Sequence, residues 1–220
     1  VGGILPALLW LWFWLREDTH PEPKRMIMTA FIGGMVVVPI AVPFQLLARK
    51  YFPDPVIMII LWAAIEELLK FIAAYVTSLS KKEDDEPIDP AIFMHTTALG
   101  FAALENVLFI LQPIHAGRIL TSIITGNMRL VGASLLHVVS STSIGIALGL
   151  AFYKSKTSKF LHWLAGIVIA ISLHSIFNLF IMKNDGMKTL FMFFIVWISI
   201  IILTLFFEKI KTVTKSDTTN

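Results

Sequence analysis

Residues 56–79 read VIMIILWAAIEELLKFIAAYVTSL, and this stretch decides the fold. A bilayer hydrocarbon core roughly 30 Å thick is crossed by about 20 apolar residues in a helix. The stretch is long enough to do so, yet Glu66, Glu67 and Lys70 sit in its middle. In a water-soluble amphipathic helix the face opposite such charges would be apolar and theirs would be polar. Here Ile, Leu, Ala and Phe surround the three charges on every side, so the pattern is that of a membrane span carrying buried ionisable groups.

Working outward, five similar runs follow the same rule. Met26–Leu47 and Leu190–Phe207 hold no charge; Ala91–Leu111 holds only His95 and Glu105, Leu130–Tyr153 only His137, and Phe160–Met182 only His162 and His174. Val1–Leu15 is a shorter run with Trp10, Trp12 and Trp14 near its far end, where indoles favour the interface. It lacks the basic start and small-residue cleavage site of a leader, so it reads as a span. The expectation is an all-α polytopic membrane bundle of about seven transmembrane helices, one domain over residues 1–220. Composition agrees: 56% of the residues are apolar and 15% charged, against about a quarter charged in soluble chains. With no Cys, disulfides, thiolate metal sites and a cysteine nucleophile are excluded. The net charge of +3 is scattered between apolar runs, which argues against a nucleic-acid partner.

Loop charges set an orientation. Arg16, Lys24, Arg25, Lys81, Lys82, Lys154, Lys156, Lys159, Lys209, Lys211 and Lys215 fall on one side, against Arg49, Lys50, Arg118, Arg129, Lys183 and Lys188 on the other. The positive-inside rule then places the C-terminus in the cytoplasm and the N-terminus outside, in the cell membrane. Lys81–Pro90 reads as a solvated cytoplasmic connector, and Ile119–Ile124, within the long 112–128 link, as a segment lying along the outer interface or dipping into it.

Each carboxyl placed charged at the centre of a lipid-facing helix costs about 2.5–3.5 kcal/mol, so Glu66, Glu67 and Glu105 must face protein or water. Taking outer boundaries near Val56, Leu111, Leu130 and Met182, we find Glu66, Glu105, His137 and His174 all roughly 9–15 Å deep at about 1.5 Å per residue. Four helices thus put polar groups in one slab, which points to one shared site. Glu66 and Lys70 are four apart and share a face, whereas Glu67 points about 100° away. His174 and Asn178 are also four apart, and Asn106 follows Glu105. Gly145-x-x-x-Gly149 permits close helix approach. Ser140–Ser143 read as packing hydroxyls, since no Gly-x-Ser-x-Gly elbow exists. His95, His115 and His162 read as interfacial, and His20 as a loop residue.

Carboxylates and imidazoles without a thiol suit acid–base work on water. A pair of carboxyls such as Glu66 and Glu67 can split roles, one taking a proton from water and the other holding one. His174 with Asn178 can stabilise the oxyanion of an attacked amide. No cofactor is required on this reading. Zinc is the alternative, with Glu66 or Glu67, Glu105, His137 and His174 as ligands.

The motifs Glu66-Glu67-Leu68-Leu69-Lys70, Phe101–Glu105-Asn106 (FxxxEN), His137 in LLHVVSSTSIGIALG, and His174–Asn178 (HxxxN) resemble, in order, those of the PrsW family of intramembrane proteases. That family is related to the CAAX-prenyl endopeptidase and Abi superfamily. The resemblance implies a helical bundle that cuts peptide bonds of a membrane-anchored protein, for some members an anti-sigma factor on the outer side. It implies Glu66 and Glu67 as the base, and His174 with Asn178 on the oxyanion side. With the shared depth, the motifs make Glu66, held by Lys70, the expected general base, with Glu67 and Glu105 sharing or tuning the proton and His137 orienting. Glu105 stands where CAAX relatives carry a histidine, a departure that bears on how the roles divide. Three rivals predict different behaviour. A proton-coupled transporter would use the same residues as a relay. A scaffold would depend on Gly145 and Gly149, and a CAAX-type protease would open to the cytoplasm.

Overall fold

Asp54 starts the decisive helix. Its side chain accepts hydrogen bonds from the N–H groups of Val56 (3.0 Å) and Ile57 (2.9 Å), and Pro55 follows at the first helical position, where its missing N–H is no loss. The computed structural model describes residues 4–16, 20–120, 123–124, 132–181 and 186–215. Among these the elements are α1 (Ile4–Leu15), α2 (Lys24–Tyr51), α3 (Pro55–Ala74), α4 (Asp89–His115), α5 (Ser134–Leu150), α6 (Lys156–Ile181) and α7 (Gly186–Lys211), with no strand. After Ala74 the chain widens into a π-helical turn, Tyr75–Leu79, closed by Ser80 N–H on the Tyr75 carbonyl. The chain is a helical membrane bundle, as its sequence predicts. Helices α2, α4 and α6 are long and apolar enough to cross a bilayer; α5 is apolar but shorter, and α3 carries three charges in its 20 residues.

Burial is inverted relative to a soluble protein. Ile32, Leu46, Ile72, Val168, Ile201 and Leu205 are exposed, while Glu67, Lys70, His95, His137 and His174 lie inside. That is the arrangement expected when lipid, not water, is the surrounding solvent. Helices α4 and α5 form the centre: every residue from Asp89 to Ala103 and from Ser134 to Thr142 is buried. The remaining helices pack around them.

Glycines set how closely the central helices are approached. A Cβ at Gly34 on α2 would lie 1.9 Å from the Thr97 carbonyl oxygen, and one at Gly100 on α4 would lie 1.9 Å from that of Phe31. The two backbones therefore touch directly. Gly145 and Gly149 do the same against the start of α4, where added Cβ atoms would meet the carbonyl oxygens of Pro90 and Pro87, each at 2.3 Å. The small-residue motif is spent within this chain.

Two expectations need correction. His95 is not interfacial: it is 2% exposed, with Nδ1 3.4 Å from the Thr142 hydroxyl, because α4 begins at Asp89 and carries it into the centre. The end of the 81–90 connector is also not solvated. Asp89 is buried and accepts the N–H groups of Asp85 (2.9 Å) and Glu86 (2.6 Å), folding the loop onto the bundle. Burial, reinforced by Asp89, pushes the Asp84 carboxyl up to about 7. Ile119, Leu120, Ile123 and Ile124 are exposed. Leu130, Met182, Arg129 and Lys183, used above for boundaries and charge, lie outside the described residues.

Candidate active site

The predicted polar residues meet between α3, α4, α5 and α6, toward the end of the bundle where α3 and α5 begin and α4 and α6 finish. Glu67 is the hub. Its side chain is fully buried; Oε1 accepts from Lys70 Nζ at 2.6 Å and from His174 Nδ1 at 2.8 Å, and Oε2 accepts from the Ser141 hydroxyl at 2.7 Å. Three donors from α3, α5 and α6 thus converge on one carboxylate, which satisfies it away from water. The pairing differs from the sequence expectation. Lys70 bonds Glu67 at i,i+3, and its ammonium also lies 3.4 Å from His137 Nδ1 and 4.9 Å from the Phe101 ring centroid. Both spacings put side chains on one face of a helix; the inward turn of Glu67 selects the shorter one.

Glu66 is placed differently. Gln45 on α2 donates to its Oε1 at 2.8 Å, and the Gln45 carbonyl in turn accepts the Trp62 indole N–H at 3.0 Å. Oε2 is buried, has no hydrogen-bond donor among the described residues, and faces His174 Nε2 at 3.6 Å. Since His174 Nδ1 donates to Glu67, its Nε2 presents a lone pair. Two acceptor atoms therefore face one another, an arrangement built to share a proton, hold a water or hold a cation.

His137 joins the second half of the site. Its Nε2 donates to Glu105 Oε2 at 2.9 Å, and its ring lies edge-on to both Phe101 and His174, each at 4.9 Å. Glu105 is the partly exposed carboxylate of the group, 18% against 8% for Glu66 and 0% for Glu67. Asn106 donates to the Ser134 hydroxyl at 2.8 Å and ties α4 to α5 one turn before His137. Asn178, one turn beyond His174, is half-buried and makes no hydrogen bond to a described residue. The structure thus gathers Glu66, Glu67, Lys70, Glu105, His137 and His174 and sets Asn106 as a clamp, while Asn178 joins none of these contacts.

Gln45 and Ser141 were missed by sequence reasoning. Gln45 had a signal, as the one amide in an uncharged apolar run. Ser141 had none that separated it from its hydroxyl neighbours; Ser143, which bonds the Ser140 carbonyl at 2.6 Å, is the back-bonding hydroxyl that was expected.

A divalent cation also fits the donor set. One atom each from Glu66, His137 and His174 lie within 4.8 Å of one another, and Glu66 Oε2 lacks a donor among the described residues. The Glu67 carboxylate on His174 Nδ1 is the support that metal-binding imidazoles ordinarily have. His137 would exchange its Lys70 or Glu105 contact to take part.

Carboxylates, imidazoles and a buried lysine thus gather inside a polytopic helical bundle, the arrangement expected of an intramembrane protein that handles protons or water. Residues 22–205 match the family described as PrsW family intramembrane metalloprotease, and the chain belongs to that family. It is 26% identical over 188 residues to Protease PrsW of Geobacillus kaustophilus, covering 84% of this chain and 80% of that one. It is 27% identical over 195 residues to Protease PrsW of Shouchella clausii, covering 87% and 86%. The corresponding protein of Oceanobacillus iheyensis is 27% identical over 196 residues, covering 86% and 85%. No solved structure matches. The chain is accordingly an integral membrane protein of an intramembrane protease family.

Proposed function

We propose that this pocket hydrolyses a peptide bond of a membrane-anchored protein, with Glu66 as the general base. The observation that carries the proposal is the Oε2 of Glu66, buried, without a donor among the described residues, and turned toward the lone pair of His174. Gln45 fixes the other oxygen, so the base has one orientation. Oε2 takes the proton of an attacking water and returns it to the leaving amine. Glu67, saturated by Lys70, His174 and Ser141, holds the imidazole in place and stays out of the proton transfer. His137 and Glu105 form the second acid–base couple on the more open side. The Asn178 amide, one turn beyond His174 on the same helix, has an N–H to offer the developing oxyanion.

The substrate class is a single-span membrane protein; by family resemblance this is an anti-sigma factor cut in the outer half of the bilayer. The loop-charge count, which sets the N-terminus outside, supports that placement. The donor cluster supports a second reading, in which Glu66, His137 and His174 hold zinc. Zinc would supply Lewis acidity to the amide carbonyl and lower the pKa of water.

Purified protein in vesicles with a single-span reporter tests both. Glu66→Gln and Glu105→Gln should fold and lose cleavage by 100-fold or more. Activity that survives chelation supports the glutamate base alone. Loss on chelation with recovery on added zinc supports the metal reading. Full activity in both glutamine variants overturns the assignment.

A further inference from the structure

We propose that a groove behind the candidate site binds one anionic glycerophospholipid, with its acyl chain between α5, α6 and α7 and its phosphate on Lys154. The groove is a cavity of about 600 Å³, almost wholly apolar, lined by residues such as Leu150, Leu161, Ala165, Leu173 and Phe206. His162 lines its one basic end.

Depth identifies the occupant. From Leu161 to Leu173 the α6 wall runs about 18 Å at about 1.5 Å per residue, close to the roughly 15 Å of one leaflet of a 30 Å core. A partner transmembrane helix would need a groove running the full core, about 30 Å. The wall is also back to back with the candidate site: Val139 and Ser143 face the groove, whereas His137 and Ser141 face the carboxylates. It therefore gives a substrate helix no approach to Glu66.

The headgroup end is built for an anion. His162 Nδ1 donates to the Ser158 carbonyl at 2.8 Å, which leaves Nε2 as the acceptor. Lys154 Nζ lies 3.4 Å from that Nε2, so the imidazole parks the ammonium at the groove's end. An ammonium has three donors, and the other two have no acceptor among the described residues. Residues 151–165 hold three lysines and no acid. Lys159 lies over the Phe152 ring, 5.3 Å from its centroid, and of the three lysines Lys154 is the one in contact with a groove-lining side chain, His162.

Full-length protein would be equilibrated in vesicles of phosphatidylcholine with one fifth phosphatidylglycerol, extracted in mild detergent, and its retained lipid quantified by mass spectrometry. Phosphatidylglycerol should be enriched severalfold over its bulk share. Lys154→Gln, an exposed position that leaves the fold intact, should lower the enrichment about fivefold, the factor one lysine contributes near an anionic lipid. Ala165→Trp, which fills the groove from an exposed position, should remove retained lipid of both kinds. No enrichment in the parent protein, or enrichment unchanged in either variant, overturns the proposal. The readout needs no substrate, so it stands apart from the peptidase assignment.

Discussion

Replacing Lys70 by Met tests whether Glu67 is a structural anchor. The ammonium is fully buried, 2.6 Å from Glu67 Oε1. At that distance the attraction is about 6 kcal/mol for an effective dielectric near 20. Desolvation of both ions offsets much of it, but removing one partner leaves the other charge stranded, which costs about 3–5 kcal/mol. Glu67 would keep its bonds from His174 and Ser141, so the low end, about 3 kcal/mol, is expected for Lys70→Met. Adding Glu67→Gln removes the stranded charge. The amide can still accept from His174 Nδ1 and donate to the Ser141 hydroxyl, so the double variant should regain about 2 kcal/mol or more. The assay is a double-mutant cycle on unfolding by SDS in mixed micelles, followed by tryptophan fluorescence, with reporter cleavage measured on the same samples. The double variant should be stable yet slow, because an amide holds the imidazole less firmly than a carboxylate. The reasoning fails if Lys70→Met lies within 1 kcal/mol of the parent, or if the double variant is no more stable than Lys70→Met alone.

Gln45→Leu removes a hydrogen bond to a charged group, typically about 1.5–3 kcal/mol. If that bond orients the base, kcat for the reporter should fall about tenfold or more with KM unchanged; a change in KM alone would contradict the role. Gly34→Ala sets a methyl against the Thr97 backbone, an overpacking that costs about 1–3 kcal/mol or more, and should lower the unfolding midpoint, whereas Ala at exposed Ile72 should not. Burial holds Asp84 protonated up to about 7 in the folded chain, against about 4 unfolded. The folded state therefore binds the extra proton in that window, and stability falls as pH rises from 4 to 7, by on the order of 1 kcal/mol after solvent screening. Asp84→Asn should flatten this slope; an unchanged slope would remove Asp84 as its source.

Much of this arrangement is legible in the sequence, for a physical reason. A carboxyl or imidazole at membrane depth has so few affordable places that Glu66, Glu105, His137 and His174 could be assigned to one pocket before any coordinate was known. Hydrophobic length supplied the helices by the same logic. What stayed hidden depends on small rotations. Whether Lys70 reaches Glu66 at i,i+4 or Glu67 at i,i+3 is decided by which face α5 and α6 cover, and helical spacing permits both. His95 seemed interfacial because polar residues near a span's end ordinarily seek water. The actual start of α4 at Asp89, and the Gly145 and Gly149 contacts that press α5 onto it, bury that turn. Hydroxyls such as Ser141 carry no depth penalty large enough to betray their partner.

The adjacency of Glu66 and Glu67 follows from this same rotation. Consecutive helical residues point about 100° apart, so two neighbouring carboxyls meet different surroundings though they share one depth. Glu67 turns into the centre, where α5 and α6 supply two donors and its own helix supplies Lys70; three charged or polar donors hold both its oxygens, which suits it to a supporting part. Glu66 turns toward α2, which offers one amide for one oxygen and leaves the other oxygen to His174. His174 links the two, donating to the saturated carboxylate from one nitrogen and presenting a lone pair to the open one from the other. A glutamine at 66 would put either its N–H or its carbonyl against that lone pair, keeping the packing and removing the base. At 67 the same change loosens the imidazole, so it should slow the reaction and lower stability together.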